Sequence, residues 1–403
     1  MTEQFGELNV PPRLMLTPGP TTVDPRILRA LSAPMVGHMD PWFTDMIGEV
    51  QMLLRRAFQT ENRITFPISA SGSVAIEAAV VNPLEPGDEA IVCVNGVFSE
   101  RMALIAERTG AKIHRVEAPW GRTVDPDDVR RAAKGRKIKF LGLAHGESST
   151  GVLTRLDDFR KVADELDALL VVDAVATLVG VPLSVDRQGI DACFSTTQKA
   201  ISSAPGMAPI TISPRMEEVL RRRKTPVQSW YFDLTTTMNY WGQDRTYHHT
   251  PPISVVYALR EALRIIFEEG LENCWLRHER NQLALIAGVQ ALGIELFVPN
   301  PENRMPTVTA VHIPAGLQDH LVRGQLLEEF GIEIAGGVGP LKGKLWRIGL
   351  MGYASQMKHV LLFLAALEKV LLDQGQHVSP GAGVGAAVRV YSQQEAVAAG
   401  LRK

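Results

Sequence analysis

Apolar positions along the chain fall into two rhythms. From 41 to 58, PWFTDMIGEVQMLLRRAF repeats at helical spacing and predicts an amphipathic helix. Short apolar runs then alternate with helical stretches. ITFPI reads as a strand, and SASGSVAIEAAVVN turns through small residues into a helix. EAIVCVNG is a strand, SERMALIAERTG a helix ending on Gly110, KIHRVEA a strand, and VDPDDVRRAA a helix with an Asp/Pro start. IKFLGLAHGESSTG is a strand that runs into a polar loop, DDFRKVADEL a helix, and ALLVVDAVATLVG and IDACFS are buried strands. Apolar strands separated by helices predict an α/β fold with a mixed, mostly parallel sheet covered on both faces.

Near residue 270 the rhythm changes. Helical patterns over 253–269 and 275–291 lead to the alternating strands TVTAVHI and KLWRIGL, with the helix DHLVRGQLLEEFG between them. A strong helix closes the region over 357–373, and a Gly/Ala-rich tail follows in which RVYSQQEAVAA forms one more short helix. The opening PPRLMLTPGPTTVDP is too rich in proline for a long helix or a central strand, so it reads as an arm lying across the body or a partner. The expected organisation is an arm (1–20), a large domain (21–268), a small α+β domain (269–375) and a tail (376–403). No repeat is visible.

Composition narrows the function classes. The 403 residues carry 42 Lys plus Arg against 44 Asp plus Glu, a formal charge of −2, so there is no electrostatic pull toward nucleic acid or anionic lipid. Hydrophobic residues at 45% and charged residues at 21% are ordinary globular usage, which excludes disorder, collagen and coiled coil. Cys93, Cys193 and Cys274 lie far apart and are odd in number, with no zinc spacing, so no metal is expected and a reducing compartment is. MTEQFGELNV has no basic n-region or apolar h-region, and Asp173 interrupts the richest apolar stretch. A cytoplasmic protein acting on small molecules is expected.

In open α/β sheets ligands bind beyond the carboxyl ends of the strands. Residues 69–73, SASGS, follow a strand and open a helix whose N–H groups suit an anion, although they match neither the Walker pattern nor GxGxxG. Taken alone they also read as a tight turn. Asp173 lies inside LLVVDAVATLVG, where a carboxylate needs a cation, a metal or a hydrogen-bond donor. Lys199 follows the next strand in STTQKAISSAPG; a lone lysine is usually solvated. Together, a small-residue phosphate cradle, an Asp at one strand end and a Lys at the next suit pyridoxal phosphate. Lys would form the Schiff base, Asp would pair with the pyridinium N–H, and the helix terminus would hold the phosphate.

The chain resembles class V aminotransferases of fold type I, in the alanine–glyoxylate and serine–pyruvate group. LTPGPTTV, VGHMDP, SGSVAIEAA, HGESSTG, VDAVATLVG, STTQKAISSAPG, YHHTPP, FGIEIAGG and KLWRIGLMGY carry the resemblance in order over almost the whole chain. It implies pyridoxal 5′-phosphate as cofactor, with Lys199 as the Schiff-base lysine and Asp173 on the ring nitrogen. Ser71, Gly72 and Ser73, helped by Gln198, would hold the phosphate. Ser148 would lie beside the ring and the substrate. Phe98 takes the stacking position where relatives often carry Trp. His38 would line the substrate pocket. Tyr247 and Thr250 would reach the phosphate of a neighbouring subunit, giving a homodimer with shared sites. Arg347 would clamp the substrate carboxylate; its plain reading is a rim salt bridge.

The resemblance implies transfer of an amino group from alanine or serine to glyoxylate. The alternative is the ureidoglycine–glyoxylate branch, which RVYSQQ, WYFDL and WRIGLMGY resemble. That branch tends to carry Gln at position 38, Asn at 247 and a GTSR-like turn in place of SASGS, and these pocket positions are weighted above the tail. A cysteine desulfurase would need a nucleophilic cysteine on a mobile loop, and none of the three fits. A non-catalytic binder would have lost Lys199 or Arg347.

Overall fold

The computed structural model describes residues 6–242 and 245–400. The apolar runs pair into one seven-stranded sheet in the order Ile64–Ile68, Ala208–Ile212, Ala192–Phe194, Leu169–Asp173, Ile138–Ala144, Glu89–Val94, Lys112–Glu117. The last five of these run parallel. Ala208–Ile212 runs antiparallel to both its neighbours. This strand was not expected, because APITI is short and follows a loop rich in small residues. Ile64–Ile68 is an edge strand, which accommodates Pro67.

Two helices of the large unit start on side-chain caps. Asp40 accepts from the Trp42 N–H ahead of Pro41–Phe58, and Asp125 accepts from the Asp127 N–H ahead of Pro126–Ala133. Such caps are worth about 1 kcal/mol each. The main core runs from Ile27 through Phe43, Phe66, Phe140 and Phe194 to Leu263 and Cys274.

A second core gathers Leu285, Val289, Trp346, Phe363 and Leu367 around a small antiparallel sheet. Its strands lie in the order Val308–His312, Leu345–Gly349, Ala335–Gly336. The N-terminal segment joins this unit. Leu14–Met15 pairs in parallel with Ile332–Glu333, and Leu16 is buried in the second core. The Gly/Ala-rich tail forms a helix over Ala382–Gly400, longer than RVYSQQEAVAA alone. Ala387 and Tyr391 pack into the second core, and this burial overrides the weak helix propensity of the glycines. No helix among the described residues is long and apolar enough to cross a membrane.

Candidate active site

Parallel pairing aligns three strand ends at one rim. Ala144 is in register with Asp173, and Asp173 with Phe194. The chain leaves the last of these strands and reaches Lys199 five residues on, so acid and amine face each other across the rim. Asp173 is 2% exposed, and among the described residues its carboxylate accepts one hydrogen bond, from the Val175 N–H at 2.8 Å. Burial pushes its pKa up to about 7, and Glu147 adds to this, while Val175, Lys199 and Arg101 pull the other way. Lys199 is 8% exposed, and its Nζ donates to the Pro18 carbonyl. Burial lowers the amine to about 8, helped by Arg347 and opposed by Asp173 and Glu147.

Pro18 comes close because Gly19 follows it. Gly19 has φ +99, and a Cβ there would run into the Lys199 side chain. The other end of the segment is pinned to the small sheet, where the Gly349 N–H donates to the Leu16 carbonyl at 2.8 Å.

The predicted cradle opens the helix Gly72–Val81. Ser71 is its N-cap residue but makes no side-chain cap, so the first N–H groups are left to another acceptor. A Cβ on Gly72 would meet Thr196 at 3.0 Å, so glycine lets the helix terminus approach the loop before Lys199. Gln198 accepts from Thr196 Oγ1 in that loop. Ser73 is exposed and accepts from Arg101 Nη1 at 2.8 Å.

Arg347 lies mid-strand in Leu345–Gly349 and is 7% exposed. Its Nε donates to the Gly336 carbonyl at 2.9 Å and its Nη1 to the Ser148 carbonyl at 3.0 Å. Among the described residues it has no carboxylate partner within salt-bridge distance, and burial lowers its pKa to about 10. A rim salt bridge is therefore not what occupies it. Phe98, at the start of the helix Val97–Glu107, lies with its ring centroid 5.9 Å from Lys199 Nζ.

Tyr247 is 61% exposed, Thr250 is exposed and His38 is half-buried. The His38 and Tyr247 rings lie 5.4 Å apart. Nothing among their contacts joins these three to Lys199 of the same chain.

Two groups at this rim escaped sequence reasoning. Glu147 is fully buried and accepts from the Ser99 N–H at 2.9 Å, Ser99 Oγ at 3.0 Å, Ser149 Oγ at 2.6 Å and the Phe98 N–H at 3.1 Å. It thereby caps the helix that carries Phe98. A carboxylate inside HGESSTG is the same signal that singled out Asp173. His145 is 4% exposed and paired with Thr177 Oγ1 at 2.9 Å; burial lowers it to about 4, so it is neutral at ordinary pH.

A buried amine, a buried carboxylate with a spare lone pair and an uncapped helix terminus fit a phosphorylated pyridine aldehyde. Fold and rim together define a pyridoxal phosphate transferase of fold type I. A family model for class V aminotransferases matches residues 28–355. The chain is 42% identical over 403 residues to the (S)-ureidoglycine–glyoxylate transaminase of Bacillus subtilis (strain 168), covering 96% of this chain and 97% of that one. It is 42% identical over 367 residues to the alanine–glyoxylate aminotransferase of Callithrix jacchus, covering 90% and 89%. The crystal structure of the Bacillus subtilis ureidoglycine–glyoxylate aminotransferase matches with a TM-score of 0.93 at 44% identity, covering 96% of this chain and 100% of that one. The chain belongs to the class V aminotransferases and is a pyridoxal phosphate-dependent enzyme.

Proposed function

We propose that the enzyme moves an amino group from alanine or serine to glyoxylate, releasing a keto acid and glycine, as a cytoplasmic homodimer. The observation that carries a small amino-acid substrate is Arg347. A buried guanidinium without an anionic partner is expensive unless a ligand supplies the charge, and its planar fork matches a carboxylate. The three cysteines are free and buried, in keeping with a reducing compartment.

Pyridoxal phosphate supplies the electron sink that makes the substrate Cα–H acidic. Lys199 takes and returns the proton at that carbon, and a pKa near 8 leaves part of it as free amine at neutral pH. The free oxygen of the Asp173 carboxylate would accept from the ring nitrogen and keep it protonated. Ser71, Gly72, Ser73 and Gln198 hold the phosphate. Glu147 fixes the helix start that presents Phe98 to the ring. Tyr247 and Thr250 complete the phosphate site of the partner subunit, and their exposure in the single chain supports this role. Arg347→Gln should lower kcat/KM for carboxylate donors about 10- to 100-fold, the range for hydrogen bonds to a charged group. A change below threefold would remove Arg347 from substrate binding.

The donor choice rests on His38 and Tyr247. A ureido group brings donors and acceptors that carboxamide side chains answer, and unpaired polar atoms in a closed pocket cost about 1–3 kcal/mol each. An imidazole and a phenol side by side narrow the space and suit a methyl or hydroxymethyl group. The second reading, ureidoglycine–glyoxylate transfer, has its own support: that relative matches over 96% of the chain, against 90% for the alanine–glyoxylate relative. The decisive measurement is kcat/KM for alanine, serine and freshly generated ureidoglycine, each with glyoxylate. Alanine or serine should win, and His38→Gln with Tyr247→Asn should move the ratio toward ureidoglycine. A tenfold advantage for ureidoglycine in the wild type would select the second reading.

A further inference from the structure

The groups assigned to the phosphate carry no formal charge. Ser71, Gly72, Ser73, Gln198, Tyr247 and Thr250 offer N–H and O–H donors only. A phosphate monoester near neutral pH is close to a dianion, so a cradle of neutral donors leaves much of that charge unanswered. The histidine that bonds to this turn does not fill the gap. His249 Nε2 pairs with Ser69 Oγ at 2.8 Å, but burial lowers its pKa to about 4, with His248 and His38 adding to the effect.

Arg101 stands apart from these. It lies on the first turns of Val97–Glu107, three residues beyond Phe98, and so points from the same end of the helix. Its Nη1 donates to Ser73 Oγ at 2.8 Å. Its Cζ lies 5.1 Å from the centroid of the Phe98 ring, whose own distance to Lys199 Nζ is 5.9 Å. Among the described residues Arg101 forms no ion pair, and it is the one cation hydrogen-bonded to residues 69–73. An unpaired guanidinium is thus tethered by a neutral hydroxyl at the lip of a helix N-terminus.

We propose that Arg101 is the counter-ion of the cofactor phosphate, with Ser73 Oγ as the hydroxyl that aims it. The guanidinium fork donates to the phosphate oxygens while Phe98 carries the ring, so one helix end serves both parts of the cofactor. This inference rests on the pyridoxal phosphate reading above.

The test separates phosphate from ring. Cofactor-free wild type, Arg101→Met and Arg101→Lys are titrated with pyridoxal 5′-phosphate and with pyridoxal, following the visible band and the quenching of protein fluorescence. Arg101→Met should weaken pyridoxal phosphate about 10- to 100-fold, the range for losing hydrogen bonds to a charged partner, and leave pyridoxal unchanged. Arg101→Lys should fall between, because it keeps the charge and loses the fork. Inorganic phosphate should compete with pyridoxal phosphate in the wild type and far less in Arg101→Met. Equal losses for both compounds would assign Arg101 to packing on Phe98 and overturn the proposal, as would unchanged affinity for both. Should Arg101→Met fail to fold, Arg101→Lys decides by the same ratio. A wild type that binds neither compound would instead sink the cofactor reading, a distinct outcome.

Discussion

Lys199→Ala should abolish turnover, with kcat reduced by at least about 10⁴-fold. Proton transfer by a positioned group contributes roughly 10²–10⁴, and the variant also loses its covalent hold on the cofactor. The change is local. Among the described residues the side chain has one hydrogen-bond partner, the Pro18 carbonyl, and its removal relieves a buried amine whose pKa burial has lowered. The protein should fold and bind pyridoxal phosphate without the visible band of the lysine adduct. Turnover within tenfold of wild type would take Lys199 out of the mechanism. The same variant tests assembly. Lys199→Ala chains mixed with Thr250→Ala chains should recover activity well above either parent, because one site of the mixed dimer then has both groups intact. No recovery would make each site the property of one chain.

Asp173→Asn should lower kcat about 10- to 100-fold, since a neutral amide does not hold the ring nitrogen protonated. It should also stabilise the cofactor-free protein near pH 8. In the folded chain Asp173 binds its proton more tightly than its ordinary 3.8, at about 7, so this group's stability is present at acid pH and lost as pH rises from about 4 through 7. Lys199 binds its proton less tightly than its ordinary 10.5, at about 8, so its burden is felt below pH 8 and relieved toward 10.5. The two groups make the cofactor-free wild type weakest between pH 7 and 8. Asparagine removes the acid-side slope and leaves the alkaline one, and urea midpoints against pH would read this directly. A slope unchanged between pH 4 and 7 would show that Asp173 ionises freely. Such a trade, where the catalytic residue weakens the empty fold, is the familiar conflict between function and stability.

The features legible in the sequence were those encoded locally. Runs such as ALLVVD are apolar on both faces, so they announced buried parallel strands, and the polar residue ending each one marked the rim. Asp173 stood out because a charge in such a run needs an answer. Ala208–Ile212 was missed because one of its partner strands, Ile64–Ile68, lies far off in sequence, and nothing in five residues specifies the direction of pairing. The tail helix is longer than its own sequence announces because its stability comes from packing on the helices Leu271–Ala291 and Met357–Asp373 rather than from its own glycines. Glu147 and Arg101 are ordinary surface residue types. Their meaning lies in who meets them: the amides of residues 98 and 99 in one case and Ser73 in the other.

The segment over Lys199 also bears on the order in which the molecule is finished. A nascent chain grown to residue 268 contains every strand of the large sheet, Asp173, Lys199 and the cradle. It lacks the anchors of its own beginning. Leu14 and Met15 pair with Ile332 and Glu333, Gly349 binds Leu16, and Thr21 Oγ1 donates to the Met351 carbonyl at 3.1 Å. These are among the most distant contacts in the chain, and closing so long a loop comes late in folding. Pro18 therefore takes its place over the lysine only after residues 332–351 leave the ribosome, so a segment made before the large sheet is secured after it.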